Sequence, residues 1–254
     1  MDGYDLVICE ECGMAYADGI PSQAEFDRYY AEMSKYERVS LTNVEKWRFV
    51  DIADNLVPYL KDGATLLDIG CGNGGLLCEL KTRGFKNLFG VSLSSRCTNN
   101  MWSKHSIHGM EANISDLQKF ASRFDIITLI GVLEHLPNPM WAIKVVSKLL
   151  KKGAAIYIEV PDAGRFASHT TAPYQFISME HINYFSGESL RNLMARAGLH
   201  AAATSLVERN LSENAKEPII AGLFYSHAPD TWAESGLTKY LEASRQAEQR
   251  INAE

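Results

Sequence analysis

Apolar runs of strand length alternate with helical patterns through the middle of the chain, and this alternation limits the possible folds more than any other feature. The runs are "TLLDIG", "NLFGVSL", "IHGMEAN", "FDIITLIGV" and "AAIYIEVP". Strands separated by crossover helices form a parallel sheet with helices on both faces. Two later runs, "AAATSLVE" and "PIIAGLFYSH", are joined by a polar segment and are typical of an antiparallel pair. The pattern therefore predicts a doubly wound α/β domain.

Length and charge narrow the classes of partner. A chain of 254 residues, 46% of them hydrophobic, is long enough for one main domain with extra segments at its ends. Its net charge of -6 argues against nucleic acid, because binding to a phosphate backbone needs clustered Lys and Arg. We expect no membrane span, since no apolar run reaches about 18 residues. The acidic start "MDGYDLVICEECG" lacks the features of a signal peptide, and five cysteines suit reduced thiols, so we expect a cytoplasmic protein.

A glycine-rich loop follows the first of the alternating strands. In "DIGCGNGG", the glycines at 70, 72 and 74 allow a tight turn and a close approach of backbone to ligand. The loop also contains G-x-G-x-x-G, ending at Gly75, which is compatible with a nicotinamide or flavin dinucleotide. Asp68 favours a different cofactor, because a carboxylate there would repel a pyrophosphate and attract the ammonium group of S-adenosylmethionine. An alternative is that these residues only make a turn.

Three motifs in order resemble those of class I S-adenosylmethionine-dependent methyltransferases: "LLDIGCGNGGLL", "FDIITLIGVLEHLPNP" and "KKGAAIYIEVP". The resemblance covers about residues 44–225. It implies a Rossmann-like sheet of seven mostly parallel strands, with a C-terminal antiparallel hairpin. We therefore predict an N-terminal extension at 1–43, a domain that binds S-adenosylmethionine at 44–228 and a C-terminal helix at 229–254.

The resemblance also assigns cofactor contacts. The implied residues are Asp68, Gly70, Gly72 and Gly74 for the methionine part, Ser92 and Leu93 for the ribose, Asn113 and Ile114 for the adenine, and Gly131 and Val132 beside the sulfonium. Ser92 departs from the family, which has Asp or Glu there, and loss of the carboxylate weakens binding by roughly 1 to 2 kcal/mol unless another group compensates.

Two alternatives follow from this departure. A hydroxyl at Ser92 followed by Arg96 would suit the 2′-phosphate of NADP, and hence an oxidoreductase. The fold could also have lost its activity and serve as a binding module.

Two histidines are candidates for the chemistry. His135, beside Glu134, belongs to the "LEHLPNP" block. The alternative for His135 is a purely structural role. For Glu134 the alternatives are that it orients the pocket or caps the next helix. "SMEHINYFS" is similar to a segment of the C-methyltransferases that act on nucleotide-linked deoxysugars, in which a histidine lies at the acceptor. His181 and Tyr184 match that segment, while Met179 replaces its first histidine. Because a hydroxyl or carbon acceptor must lose a proton, we predict His181 as the base; anchoring of a loop is the alternative.

The N-terminus is similar to the leader of the same sugar methyltransferases, where a zinc knob precedes a helix with paired tyrosines. Only Cys9 and Cys12 of the cysteine pairs are present, so four zinc ligands cannot be completed and we predict no bound metal. The tyrosines at 29, 30 and 36 either cover the active site or only pack. The resemblance implies a small polar acceptor, such as a nucleotide-linked sugar in carbohydrate biosynthesis, methylated at oxygen or carbon.

Overall fold

The computed structural model describes residues 4–10, 13–32, 42–169, 177, 180–212 and 215–226. Cys12, Tyr36, Met179 and the predicted helix at 229–254 lie outside these ranges.

The strands in the described ranges are β1 (Asp5–Ile8), β2 (Ala15–Asp18), β3 (Thr65–Ile69), β4 (Asn87–Ser92), β5 (His108–Glu111), β6 (Phe124–Ile130), β7 (Leu150–Pro161), β8 (Asn183–Tyr184), β9 (His200–Ser212) and β10 (Ala215–Tyr225). The helices are α1 (Gln23–Glu32), α2 (Asn43–Leu56), α3 (Gly75–Thr82), α4 (Ser95–His105), α5 (Pro139–Ser147), α6 (Phe166–His169) and α7 (Gly187–Arg196).

The main sheet confirms the predicted fold. Its seven strands have the order β5-β4-β3-β6-β7-β10-β9. The five strands from β3 to β7 pair in parallel, whereas β10 is antiparallel to both β7 and β9. The carboxyl ends of β3, β4, β5 and β6 therefore meet at one edge, where loops can form a binding site.

Apolar side chains cover both faces of this sheet. One core cluster joins the sheet to α5 and α7 and includes Ile127, Ile143, Val146 and Leu190. A second joins the opposite face to α2, α3 and α4 and includes Ile52, Leu66, Leu77 and Met101. Burial on both faces explains why the central strands are apolar without alternation.

Side chains at the helix ends fix where the helices begin. Thr42 caps α2 in a capping box with Glu45, and Ser186 caps α7. Helix α2 ends at Leu56 and continues as a 3-10 turn at Val57–Tyr59, which contains Pro58.

The N-terminal extension forms a small sheet of its own with the order β1-β2-β8. β2 pairs with β8 through Ala15 and Tyr184, so a distant part of the chain completes this sheet. Phe26 of α1 packs in the same region against Ala17 and Ile182. These contacts hold α1 beside the loop edge of the main sheet. Within the described ranges, no helix is both long enough and apolar enough to cross a bilayer.

Candidate active site

A pocket lies at the carboxyl edge of the parallel strands. It encloses about 580 Å³ of empty space, which includes space open to solvent. The predicted cofactor residues that line it are Gly70, Ser92, Leu93, Asn113, Ile114 and Val132. Ser115, Leu136 and Trp141 complete much of the wall. Residues from four different loops therefore meet at one place, as predicted.

The glycine loop brings backbone to the pocket wall. Gly70 has φ +77, and a Cβ atom there would lie 2.5 Å from Cγ2 of Val132. Gly74 caps α3 with φ +79, and its Cβ would meet Sδ of Met101 at 2.5 Å. Gly70 thus needs glycine at the pocket, while Gly74 supports the loop by packing against α4. Gly72 and Gly131 also have positive φ.

Asp68 lies at the end of β3 with 4% of its surface exposed. Its Oδ1 accepts a hydrogen bond from the Thr128 hydroxyl at 2.7 Å. Burial raises the pKa of this carboxyl to about 7. Its neighbours Ile69 and Gly70 line the described pocket, whereas Asp68 itself is not part of that lining. At neutral pH the carboxyl is therefore partly protonated, and a cation that approaches it would favour the ionised form.

Asn113 has a local role that the sequence did not predict. Its Oδ1 accepts hydrogen bonds from Asp116 N at 3.0 Å and from the Ser115 hydroxyl at 2.5 Å. Asp116 accepts a hydrogen bond from Asn113 N in return, so the two residues form a capping box. The oxygen predicted to accept from adenine is therefore already engaged within its own turn.

Helix α1 adds two residues that the sequence analysis missed. Gln23 and Asp27 line the pocket together with the loop residues. The Asn113 amide donates to Oδ2 of Asp27 at 3.2 Å, and the Gln23 amide donates to Oδ1 at 2.8 Å. The one available signal was their spacing of four, which puts both on one helix face.

The structure brings the two candidate histidines together. His135 follows the end of β6, and the segment that carries His181 docks on the same turn: Ile182 N donates to the Glu134 carbonyl at 2.8 Å, and the Asn183 amide donates to the Leu136 carbonyl at 2.7 Å. The two imidazole rings meet edge to face with centroids 4.8 Å apart.

Tyrosines of α1 contact this histidine pair. The Tyr30 hydroxyl lies 2.9 Å from Nδ1 of His135, and the Glu180 carbonyl lies 2.8 Å from the same nitrogen. Because a carbonyl only accepts, these contacts assign a proton to Nδ1 and leave Nε2 as the acceptor. Tyr29 donates to the Glu180 carboxylate at 3.1 Å. Helix α1 therefore lies over both the cofactor pocket and the histidines.

Glu134 is buried beneath the histidines, with 3% of its surface exposed. Its Oε2 has no hydrogen-bond partner among the described residues, and Oε1 is 3.9 Å from Nε2 of His135, too far for a hydrogen bond. Burial raises the pKa of Glu134 to about 8, with a contribution from the charge of Glu217. The suggestion that Glu134 caps the next helix is wrong, since Asn138 caps α5.

Glu134, His135 and His181 could also ligate a metal, since their ligand atoms lie within 4.8 Å of one another. Ligands of one ion, each about 2.1 Å from it, are at most about 4.2 Å apart. A spread of up to 4.8 Å is wider than a single ion spans without side-chain movement. That no metal binds stays a prediction.

Comparison with known proteins places this site in a family. The model described as a methyltransferase domain matches residues 44–204, which is more than half of the chain. The chain belongs to this methyltransferase family.

Curated relatives of this methyltransferase share only part of their length with it. The probable (S)-tetrahydroprotoberberine N-methyltransferase 2 of Papaver bracteatum is 24% identical over 194 residues, covering 74% of this chain and 51% of that protein. The ubiquinone biosynthesis O-methyltransferase of Coxiella burnetii is 35% identical over 102 residues, covering 37% and 42%. The chain thus spans about half or less of the length of these relatives.

Solved structures show the same fold. The Burkholderia thailandensis 1,6-didemethyltoxoflavin-N1-methyltransferase, with bound S-adenosylhomocysteine, has a TM-score of 0.62 at 14% identity and covers 88% of this chain and 100% of that one. The Synechocystis magnesium protoporphyrin IX methyltransferase, with S-adenosylmethionine, has a TM-score of 0.58 at 14% identity and covers 81% and 98%.

The methyltransferase uses S-adenosylmethionine, and the pocket fits this cofactor. A side chain at position 70 would clash with Val132, so Gly70 contributes only backbone to the wall that would face the methionine part. Family membership rules out the NADP oxidoreductase alternative. In the structure, Arg96 is exposed on α4 and does not belong to the described pocket lining.

Tyr184 is buried in β8, where it packs with Phe166, Ala15 and Ala163 between the small sheet and α6. The predicted catalytic role of Tyr184 has no support in these contacts, which instead join the extension to the main domain.

Proposed function

We propose that this methyltransferase transfers a methyl group from S-adenosylmethionine to a small polar molecule, with His181 removing the proton of the acceptor. The contact of His135 with His181 at the end of β6 carries this proposal. Val132, in the same turn as His135, lines the cofactor pocket. A base at this position is therefore next to the place where the reacting methyl group would lie.

The choice of His181 over His135 rests on the resemblance of its segment, in which a histidine lies at the acceptor. His135 is held at Nδ1 by two contacts, and 12% of its side chain is exposed. His181 is half-buried and packs its ring against that of His135. We therefore assign His135 as a positioning residue and His181 as the base.

When bound, S-adenosylmethionine supplies a methyl group on a positively charged sulfur. His181 would accept the acceptor's proton as the new bond to the methyl carbon forms. Tyr30 and the Glu180 carbonyl hold the neighbouring imidazole in one tautomer. The protein's contribution is thus alignment and proton removal.

Two observations guide the choice of acceptor. The resemblance of "MEHINYFS" to sugar C-methyltransferases favours a nucleotide-linked deoxysugar. The names of similar proteins instead include N- and O-methyltransferases. The cytoplasmic location and the division at residues 43 and 228 remain proposals.

A panel assay tests the function. Purified protein with S-adenosylmethionine is given dTDP-linked deoxysugars, catechols related to quinone precursors, or secondary amines, and S-adenosylhomocysteine release is followed. Release above the acceptor-free rate with one class would identify the acceptor. If the protein binds S-adenosylhomocysteine but no class raises the release, the inactive binding module becomes the better explanation.

With the acceptor in hand, His181 can be tested directly. We expect His181→Ala and His181→Gln to lower turnover about 100-fold or more, since neither side chain is a base at neutral pH. Glutamine keeps hydrogen-bonding capacity, so near-normal turnover of His181→Gln would show that the histidine only anchors its segment. His200→Ala, at an exposed position on β9, is the matched control and should leave turnover unchanged. Calorimetry with S-adenosylhomocysteine should show unchanged affinity in all three variants.

A further inference from the structure

We infer that Asp27, from the N-terminal helix, supplies the carboxylate that the cofactor pocket lacks at Ser92. Asp27 lines the pocket with Ser92, Asn113 and Ile114, and it is the single acid in the described lining. It would accept a hydrogen bond from the adenosine part of the cofactor. This inference concerns cofactor binding alone, so it does not depend on the proposed base or acceptor.

Ser92 and Asn113, the two side chains predicted to bind the adenosine part, already accept hydrogen bonds from the protein. Ser92 is buried, and its hydroxyl oxygen accepts from Ser94 N at 3.2 Å. The Asn113 carbonyl accepts two hydrogen bonds from its own turn, which use both of its lone pairs. Neither residue offers the negative charge that strengthens a hydrogen bond to a hydroxyl or an amine.

Asp27 is held in place while keeping capacity to accept. One carboxylate oxygen accepts from Gln23 and the other from Asn113. Each carboxylate oxygen has two lone pairs, so each can take a further bond from a ligand. Since both protein partners are neutral amides, the charge of Asp27 is not cancelled by them.

The helix that carries Asp27 is fixed independently of the cofactor. Phe26 is buried against Ala17 and Ile182, and Tyr30 contacts His135. The carboxylate is therefore preorganised at the pocket, which limits the entropy lost on binding. An acid on α1 can thus accept the hydrogen bond that the family's acid at the end of β4 accepts from the cofactor.

Calorimetric titration with S-adenosylhomocysteine tests the inference. Asp27→Asn keeps the shape and removes the charge, and we expect its Kd to rise about tenfold. Asp62→Asn removes the same charge at an exposed position before β3, at the other end of the sheet, and should leave Kd unchanged. Equal Kd for Asp27→Asn and wild type, with equal thermal unfolding midpoints, would overturn the inference.

Two further arms show which part of adenosine is recognised. If Asp27 accepts from the ribose, 2′- or 3′-deoxyadenosylhomocysteine should bind more weakly than the parent to wild type but equally to Asp27→Asn. If it accepts from adenine, S-inosylhomocysteine, which lacks the amine, should show that pattern instead. Additive losses for every analogue would contradict direct contact.

The variant Ser92→Asp provides a second, independent test. We expect it to recover affinity in the Asp27→Asn background when the ribose is the partner, and to gain less in wild type, where two carboxylates would repel each other. Equal gains in both backgrounds would place Asp27 away from the ribose. Failure of wild type to bind S-adenosylhomocysteine would count against the proposed function, whereas equal binding by wild type and Asp27→Asn counts only against Asp27.

Discussion

Asp68 carries a carboxyl group whose ionisation should control cofactor affinity. Its pKa is raised to about 7 by burial, and the nearby Cys71 thiol stays neutral because burial raises its pKa as well. An ammonium group against Asp68 needs the ionised form, so affinity for S-adenosylhomocysteine should fall about tenfold per unit as pH drops below about 7. Without the ligand, the stability of the protein changes with pH in the opposite direction. Because the pKa of Asp68 is higher in the folded than in the unfolded state, the free energy of unfolding falls as pH rises from about 4 to about 7.

Calorimetry between about pH 5.5 and about pH 7.5 would measure this dependence, in a range where the ligand's amino group stays protonated. Asp68→Asn should bind weakly with little dependence on pH. Glu134 titrates in a neighbouring range, and the comparison with Asp68→Asn separates its contribution. An affinity for wild type that does not change across this range would place the ammonium elsewhere.

Single residues were predictable where the order of the motifs fixes their position, and uncertain where a side chain can bond to several partners. The positions of Gly70 and Val132 at the pocket followed from motif order. Asn113 was predicted to bind adenine, yet its carbonyl closes its own turn, because a short polar side chain next to free backbone amides bonds locally. Asp27 could not be found, since its partner Asn113 is far away in the sequence.

At the scale of elements, a buried ion pair ties the C-terminal hairpin to the rest of the sheet. Arg209 of β9 bonds to both carboxylate oxygens of Glu159 on β7, passing over β10, and Tyr157 donates to the same carboxylate at 2.7 Å. Glu159 is 0% and Arg209 4% exposed. Arg209→Met should lower the free energy of unfolding by about 3 to 5 kcal/mol, because it leaves Glu159 buried without its cation.

Urea denaturation would measure the loss, and the double variant with Glu159→Leu should recover most of it. Lys216→Met breaks an exposed ion pair with Glu208 on the same hairpin and should change stability by less than about 1 kcal/mol. If Arg209→Met cost no more than Lys216→Met, the buried pair would not stabilise the hairpin.

Helices and strands of the main domain were predictable because local patterns agree with the tertiary structure. The apolar runs form buried strands, and the ends of α7 carry the common local signals of a Ser186 cap and of Gly198 with positive φ. The sheet of β1, β2 and β8 was not predicted. β8 has only two residues, and its pairing with β2 is a long-range contact that no local periodicity records.

At the scale of the whole molecule, the candidate site combines two parts of the chain, and the family model covers only one of them. The match covers residues 44–204, while α1 lies outside it. Asp27, Tyr29 and Tyr30 of α1 nevertheless contact Asn113, Glu180 and His135. The extension therefore contributes residues to the candidate site, and the sequence suggested this only through the paired tyrosines.

If α1 closes over the cofactor, ligand binding should slow hydrogen exchange of the α1 amides. Opening of the helix would expose the pocket, so a ligand that binds only the closed form opposes opening. At a concentration of about 100 times Kd, S-adenosylhomocysteine would stabilise that form by about 2.7 kcal/mol and slow exchange up to about 100-fold. Exchange in α7, which packs on the sheet face with α5, is the internal control.

Equal exchange of α1 with and without ligand would mean that the helix stays in place regardless of the cofactor or opens without releasing it. Protection limited to α1 and the loop edge would instead show that the N-terminal extension and the family domain bind the cofactor as one unit.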